Sequence, residues 1–280
     1  MLPLISAADL RARLTTEPIV LLDARSGPGA RAHYAAGHLP GAQFVDLEQD
    51  LAQPGPDAAR GGRHPLPPMA DFARLLGRLG IGPTTPVVVV YDDKSGANAA
   101  ARAWWLLRAA GHRAVQVLDG GLPAAAAVGL ALSTDQPFPF PTGHYPFSEW
   151  QLPIASQVAV QQASRAGFRL IIDVREAPRY RGETEPIDLI AGHIPGAINV
   201  PFASNLDGTE CYLAPAALRT KYEAVLQGRN PADVLVHCGS GVTACHTLLA
   251  FEQAGLALPS LYVGSWSEWS RNDNPIATGA

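Results

Sequence analysis

Cysteine is scarce in this chain. Three occur in 280 residues, Cys211, Cys238 and Cys245, and so small and odd a set does not make a disulfide framework. Charge of one sign is nowhere concentrated. The formal net charge is −4 without a block of like charges, so neither a nucleic-acid-binding surface nor an acidic tail is expected. Long hydrophobic runs are also missing: Val87–Tyr91 and Leu122–Leu132 are too short, or too broken by Pro and Gly, to span a bilayer. The opening MLPLISAADL has no basic stretch followed by a long apolar run, so no secretory signal is read and a cytoplasmic protein is expected. The histidines lack ligand spacing with Cys or carboxylates, which points away from a metal site. No GxGxxG follows a strand, which points away from a nucleotide cofactor. What remains is a chain that is 47% hydrophobic and 16% charged, ample for packed cores and unlike a disordered segment.

The strongest positive signal is an internal repeat. LLDAR (Leu21–Arg25) and AGHLPGA (Ala36–Ala42) return as IIDVR (Ile171–Arg175) and AGHIPGA (Ala191–Ala197). Next come VVVVYDDKSG from Val87 and VLVHCGSG from Val234, each leading into a helix-like segment, and then VLDGGL (Val117–Leu122) and LYVGSW (Leu261–Trp266). Four landmarks in the same order predict a duplicated fold. The short apolar runs read as buried parallel strands. Helix-period segments between them make right-handed βαβ units. Helices are predicted over Ser6–Leu14, Met69–Leu79, Ala97–Ala110, Ile154–Arg165, Pro215–Val225 and Val242–Ala254, with Ser6 and Asp9 as an N-terminal cap pair. The fold class is therefore α/β, with two domains. Ser133–Phe147, rich in proline and aromatics, reads as an extended linker packing its rings on the domain seam. His38 and His193, in the Gly-Pro turns, read as structural.

Chemistry concentrates in VLVHCGSGVTACHTLLA, from Val234. A buried strand ends at His237, Cys238 opens a glycine-containing loop, and a helix pattern begins near Val242. That puts a thiol at the carboxyl end of a strand and over a helix N-terminus, where open α/β sheets bind ligands and where anions are favoured. A thiolate forms more readily there. Gly239 and Gly241 let several backbone N–H groups turn inward. Cys211 and Cys245 lack this context and read as structural. Protein tyrosine phosphatases start such a loop with His-Cys too, but they need an arginine where this chain has Ala244, and without that guanidinium a phosphoryl dianion has no fork to bind.

The rhodaneses fit better. The DAR and DVR strands, both AGHxPGA turns, the CGSGVTA loop and the DGGL segment resemble that family over nearly the whole chain. The resemblance implies tandem rhodanese domains, each a parallel sheet flanked by helices. The expected division is an N-terminal domain at 1–135, a linker at 136–150 and a C-terminal domain at 151–280. It implies a sulfurtransferase in which Cys238 takes up a sulfane sulfur as a persulfide and passes it on in a second half-reaction. The N–H groups of Gly239, Ser240, Gly241, Val242 and Thr243 would cradle that sulfur. Asp92 stands where the second repeat has Cys238, so the first domain would be inactive and would supply a wall of the cleft. Arg179 matches the family arginine that holds the donor's anionic group, and Arg175 would brace the loop. Ser240 matches a serine thought to join a proton relay with an acidic residue and a histidine, here Glu48 and His64.

The donor stays open between 3-mercaptopyruvate and thiosulfate. The loop resembles that of mercaptopyruvate enzymes, since thiosulfate-specific members usually have basic residues where this chain has Gly239 and Ser240. Mercaptopyruvate enzymes, however, generally carry a second arginine nine residues after the first, and here that position is Asp188. Expected acceptors are cyanide, a small thiol or a thioredoxin. A persulfide carrier without its own small-molecule donor is the alternative of a different class.

Overall fold

The computed structural model describes residues 1–93, 96–138 and 141–279. Lys94 and Ser95 of the first repeat's polar loop, and Pro139 and Phe140 of the expected linker, lie outside the described residues. The chain forms two compact units that interleave along the sequence. The first comprises 1–52, 67–151 and 208–211, and the second 53–66, 152–207 and 212–280. The expected division at 135 and 151 took each unit as contiguous. Tertiary packing assigns 53–66, from the first repeat, to the second unit, and 208–211 to the first.

In the first unit the order is β1 (Leu4–Ile5), α1 (Ala7–Arg13), β2 (Val20–Asp23), α2 (Ala30–Ala36), β3 (Gln43–Phe44), α3 (Met69–Arg78), β4 (Val88–Tyr91), α4 (Asn98–Ala109), β5 (Val115–Leu118) and α5 (Gly121–Ala127). The second unit repeats it: β6 (Ile154–Ala155), α6 (Gln157–Ala166), β7 (Leu170–Asp173), α7 (Ala177–Tyr180), β8 (Ala197–Asn199), α8 (Pro215–Leu226), β9 (Val234–His237), α9 (Thr243–Gln253), β10 (Ser260–Tyr262) and α10 (Ser265–Trp269). The sheets run β1-β5-β4-β2-β3 and β6-β10-β9-β7-β8, so the second order is the first shifted by five strands. Every pairing is parallel. The central strands β4 and β9 are buried along their whole length, as continuous apolar runs with helices on both faces require.

Helix α1 starts where the sequence places it: the Ser6 hydroxyl accepts from the Asp9 N–H at 3.1 Å and donates to the Asp9 carboxylate. Ser156 caps α6 by accepting from the Ala159 N–H at 3.2 Å. The predicted helix over Ile154–Arg165 starts later than expected, because Ile154 and Ala155 pair with β10. A strand–serine–helix unit therefore opens each repeat. Helices α2, α5, α7 and α10 were not expected from the sequence; α7 and α10, of four and five residues, are too short to display an apolar period.

Two duplicated devices lock the strand ends. Asp23 holds Arg25 by Nε and Nη2, with Nη2 at 2.6 Å, and Asp173 holds Arg175 identically. Each arginine also donates to a turn carbonyl, Gly37 or Gly192. All four side chains are nearly or fully buried, so losing one partner would strand a charge at about 3–5 kcal/mol. His38 and His193 are structural, as expected: each donates to a backbone carbonyl through Nδ1 and stacks on a tyrosine, Tyr34 and Tyr180 respectively. In the first unit Tyr145, Phe147 and Trp150 form a ring cluster with Phe72 of α3 and Trp105 of α4.

Candidate functional site

Strand registers place the two repeats' polar loops in correspondence. Asp23 is paired with Tyr91 and Asp173 with His237, so Asp92 and Cys238 are each the first residue beyond equivalent strands. Asp92 is buried, and its carboxylate accepts from the Ala100 N–H in the first turn of α4.

Cys238 is only 2% exposed. Its Sγ accepts from the Gly241 N–H at 3.2 Å, and its own N–H donates to Ser265 Oγ at 3.2 Å. The Cys238 and Gly239 carbonyls accept from Trp266 and Ser267 N–H groups. The loop is thus stitched to the start of α10. Two backbone positions make the stitching possible. Gly241 has φ +77°, and a Cβ there would lie 2.5 Å from the Val263 carbonyl oxygen. Ser265 adopts φ +54°, unusual for a residue with a side chain. That conformation lets Ser265 Oγ hold the Cys238 N–H while donating to the Tyr262 carbonyl. In the first unit the matching residue is Gly121, φ +57°. The eleven-residue helix α9 then begins at Thr243, and the partial positive charge of its N-terminus favours an anion at the loop.

Cys245, one turn into α9, is fully buried, and its thiol donates to the Gly241 carbonyl. His237 is buried between Asp173 and the Cys238 carbonyl, 3.7 Å and 3.1 Å away. Burial pushes its pKa below the ordinary 6.5 against the pull of Asp173, which leaves it neutral at pH 7. For Asp173, burial would raise the pKa, but His237 and Arg175 hold it below the carboxylate range.

The segment 53–66 packs on this loop. Ser240 Oγ and His64 Nδ1 are 2.7 Å apart, both groups buried. Beside them lies a charged cluster. Arg179 contacts Glu185 through Nε and Nη2, at 2.7 Å for the shortest, and reaches Asp188 with Nη2. The Asp188 side chain is fully buried and also bonds Arg63 Nε and Arg271 Nη1. Burial would raise the Glu185 carboxyl, but Arg179 and the N–H groups of Asp188 and Ile187 hold it below its ordinary value. A Cβ on Gly239 would lie 3.2 Å from Arg63 Nη2 and 3.4 Å from Arg179 Nη2, so two guanidinium groups stand over the residue that follows Cys238. Glu48 is carried by the first unit, in the turn after β3, where its N–H donates to Asp46. Among the described residues no group of three or more His, Cys, Asp or Glu side chains could hold a metal ion, and no helix is long and apolar enough to cross a membrane.

A buried cysteine in a strand–loop–helix cradle, beneath arginines, on a duplicated parallel sheet defines a class of proteins. The rhodanese-like domain matches this chain twice, at 6–127 and 156–272, and the chain belongs to the rhodanese family. A Pseudomonas aeruginosa protein named "probable 3-mercaptopyruvate sulfurtransferase" is 44% identical, over 99% of this chain and 98% of its own. A thiosulfate sulfurtransferase of the same organism is 35% identical, over 98% of this chain and 97% of its own. The structure of 3-mercaptopyruvate sulfurtransferase from Leishmania major superposes with a TM-score of 0.80 at 30% identity, covering 95% of this chain and 74% of that one. The protein is a sulfurtransferase enzyme.

Sequence reasoning named Cys238, Ser240, His64 and Arg179, and these lie together in the second unit. It missed Arg63, Glu185, Ser265 and Arg271. The LYVGSW landmark contained Ser265, and alignment of its Gly264-Ser265 with Gly120-Gly121 was the available signal for a left-handed residue. Nothing in the local sequence distinguishes Arg63 or Arg271 from surface arginines.

Proposed function

We propose that this enzyme takes sulfur from 3-mercaptopyruvate and carries it on Cys238 as a persulfide. The observation that carries the reading is the Cys238 cradle: a buried sulfur facing a loop N–H, with the guanidinium groups of Arg179 and Arg63 over the adjacent Gly239. The thiolate attacks the donor's sulfur, the donor C–S bond breaks, and its electron pair leaves on pyruvate enolate, which takes a proton to become pyruvate. The enzyme is left as Cys–S–SH. An acceptor nucleophile then attacks the outer sulfur, the S–S bond breaks, and the Cys238 thiolate returns.

In this reading the N–H groups of Gly239 to Thr243 stabilise the sulfur anion, and Arg179 binds the donor carboxylate through its planar fork. Ser240 and His64 supply the enolate's proton, with Glu48 as the acidic member of the relay. Asp92 cannot accept a sulfane sulfur, which makes the N-terminal domain inactive. The acceptor is a small thiol, cyanide or a thioredoxin-type protein in the cytoplasm. Thiosulfate is the competing donor, favoured by Asp188 at the position where mercaptopyruvate enzymes have a second arginine. Comparing kcat/KM for the two donors with cyanide as acceptor tests the reading: a higher value for thiosulfate overturns it.

A further inference from the structure

We infer that Ser267 is a positioning residue for the Ser240–His64 pair, holding the cysteine loop and segment 53–66 in register through one residue. The inference rests on the proton relay of the proposed function and deepens it.

Ser267 is the third residue of α10. The first N–H groups of a helix have no partner within it, and here they serve the cysteine loop. Trp266 N–H donates to the Cys238 carbonyl at 3.0 Å, and Ser267 N–H donates to the Gly239 carbonyl at 2.8 Å. The Ser267 hydroxyl donates to the Gly264 carbonyl at 3.0 Å. That bond orients the hydroxyl and leaves its lone pairs for the Arg63 N–H, which donates to Oγ at 3.1 Å. Ser267 therefore binds the residue before Ser240 with its backbone and the residue before His64 with its side chain. Ser240 and His64 are 176 positions apart in sequence, yet two hydrogen bonds to one residue link their neighbours.

Segment 53–66 is shaped for this contact. Gly61 and Gly62 adopt φ +84° and +79°, a left-handed pair that glycine takes readily. A Cβ on Gly62 would lie 2.4 Å from the Gly264 carbonyl oxygen and 2.7 Å from Ser267 Oγ, so the segment is pressed directly on the start of α10. The Gly61 N–H donates to the Glu268 carboxylate at 2.7 Å, and the Gln53 N–H closes the base of the segment on the Pro65 carbonyl at 3.2 Å. His64 directly follows Arg63, so a shift of the Arg63 N–H passes to the ring whose Nδ1 lies 2.7 Å from Ser240 Oγ. Ser267 is fully buried, which keeps water from taking the place of a deleted hydroxyl.

The test is single-turnover persulfide formation on Cys238 at saturating 3-mercaptopyruvate, read by intact mass, in Ser267→Ala, His64→Gln and the double variant. S267A should slow persulfide formation about three- to tenfold, the effect of one lost hydrogen bond on a pair that must meet in a fixed geometry. Transfer from preformed persulfide to cyanide, in which no proton goes to carbon, should stay within about twofold of wild type. In the H64Q background the S267A change should add less than about a further twofold, because a residue acting through His64 then has nothing left to position. Losses that multiply, an equal slowing of both half-reactions, or an S267A rate equal to wild type overturns the inference. Should S267A melt well below wild type, the Glu268 end of the same contact takes its place. Glu268→Ala releases the Gly61 N–H and should slow persulfide formation, whereas Glu268→Gln keeps an acceptor oxygen and should recover most of the rate; equal rates for these two variants refute the inference. An H64Q enzyme that forms persulfide as fast as wild type overturns the relay itself, a failure separate from one in which H64Q is slow and S267A is not.

Discussion

Two glycines of one loop should respond to the same added methyl group in opposite ways. At Gly241, alanine must adopt φ +77° and bring its Cβ to 2.5 Å from the Val263 carbonyl oxygen. The left-handed conformation costs about 1–2 kcal/mol. The contact is about 1 Å inside van der Waals separation and falls on strand-end backbone, which cannot swing aside, so repacking adds about 1–3 kcal/mol. Gly241→Ala should therefore destabilise the second unit by about 2–5 kcal/mol, lower its melting temperature by roughly 5–20 °C, and disturb the N–H that faces Cys238 Sγ. At Gly239 the backbone lies outside the left-handed region, and the new methyl would meet the guanidinium ends of Arg63 and Arg179 at 3.2 and 3.4 Å and the Asp188 carboxylate at 3.6 Å. Gly239→Ala should change stability by less than about 1 kcal/mol while raising the half-saturating donor concentration several-fold, because the methyl presses on the Arg179 guanidinium that binds the donor in the proposed function. Chemical denaturation measures the first quantity and persulfide formation by intact mass the second. A Gly241→Ala protein as stable as wild type, or a Gly239→Ala protein destabilised to the same degree as Gly241→Ala, would refute the reasoning.

Cys238→Ser should abolish transfer from every donor, and one added sulfur should be seen on wild type but not on this variant; Cys211→Ser and Cys245→Ser should keep most activity. Arg179→Leu should lower donor kcat/KM by about ten- to a hundredfold with folding intact, because Glu185 retains Arg175 and Asp188 retains Arg63 and Arg271; Arg179→Lys should recover part of it, and unchanged donor kinetics would move the anion site elsewhere. Ser240→Ala should slow 3-mercaptopyruvate turnover by about ten- to a hundredfold but affect thiosulfate little, since sulfite leaves without needing a proton on carbon; equal losses with both donors would remove Ser240 from the relay. Stability should fall on acidification, because His237 and Asp173 both have depressed native pKa values: below their ordinary values of 6.5 and 3.8 the unfolded chain binds protons that the native state refuses. Melting temperature measured from pH 8 to pH 5 should decline below about pH 6.5, and a flat profile would contradict the buried neutral His237.

The repeat, the α/β class, the Ser6 cap and the placement of Cys238 at a strand–helix junction were all readable from residue order. Each depends on neighbours a few positions apart: continuous apolar runs make buried parallel strands, a serine three residues before a free N–H caps a helix, and glycines allow a tight loop. The comparison of Asp92 with Cys238 was equally legible, because the duplication supplies its own reference. Four features needed the folded chain. Segment 53–66 packs with the second unit although it belongs to the first repeat, so Arg63 and His64 reach a loop about 175 residues away. Asp188 looked like the loss of an arginine, yet it is the buried centre of three. Ser265 tolerates a left-handed backbone because its hydroxyl is bonded on both sides. The strand at Ile154–Ala155 exists only because β10 lies beside it. Local sequence encodes backbone preference and burial period; which distant side chains share a counter-ion, and which strand edge a short segment joins, is decided by the free energy of the whole packed fold.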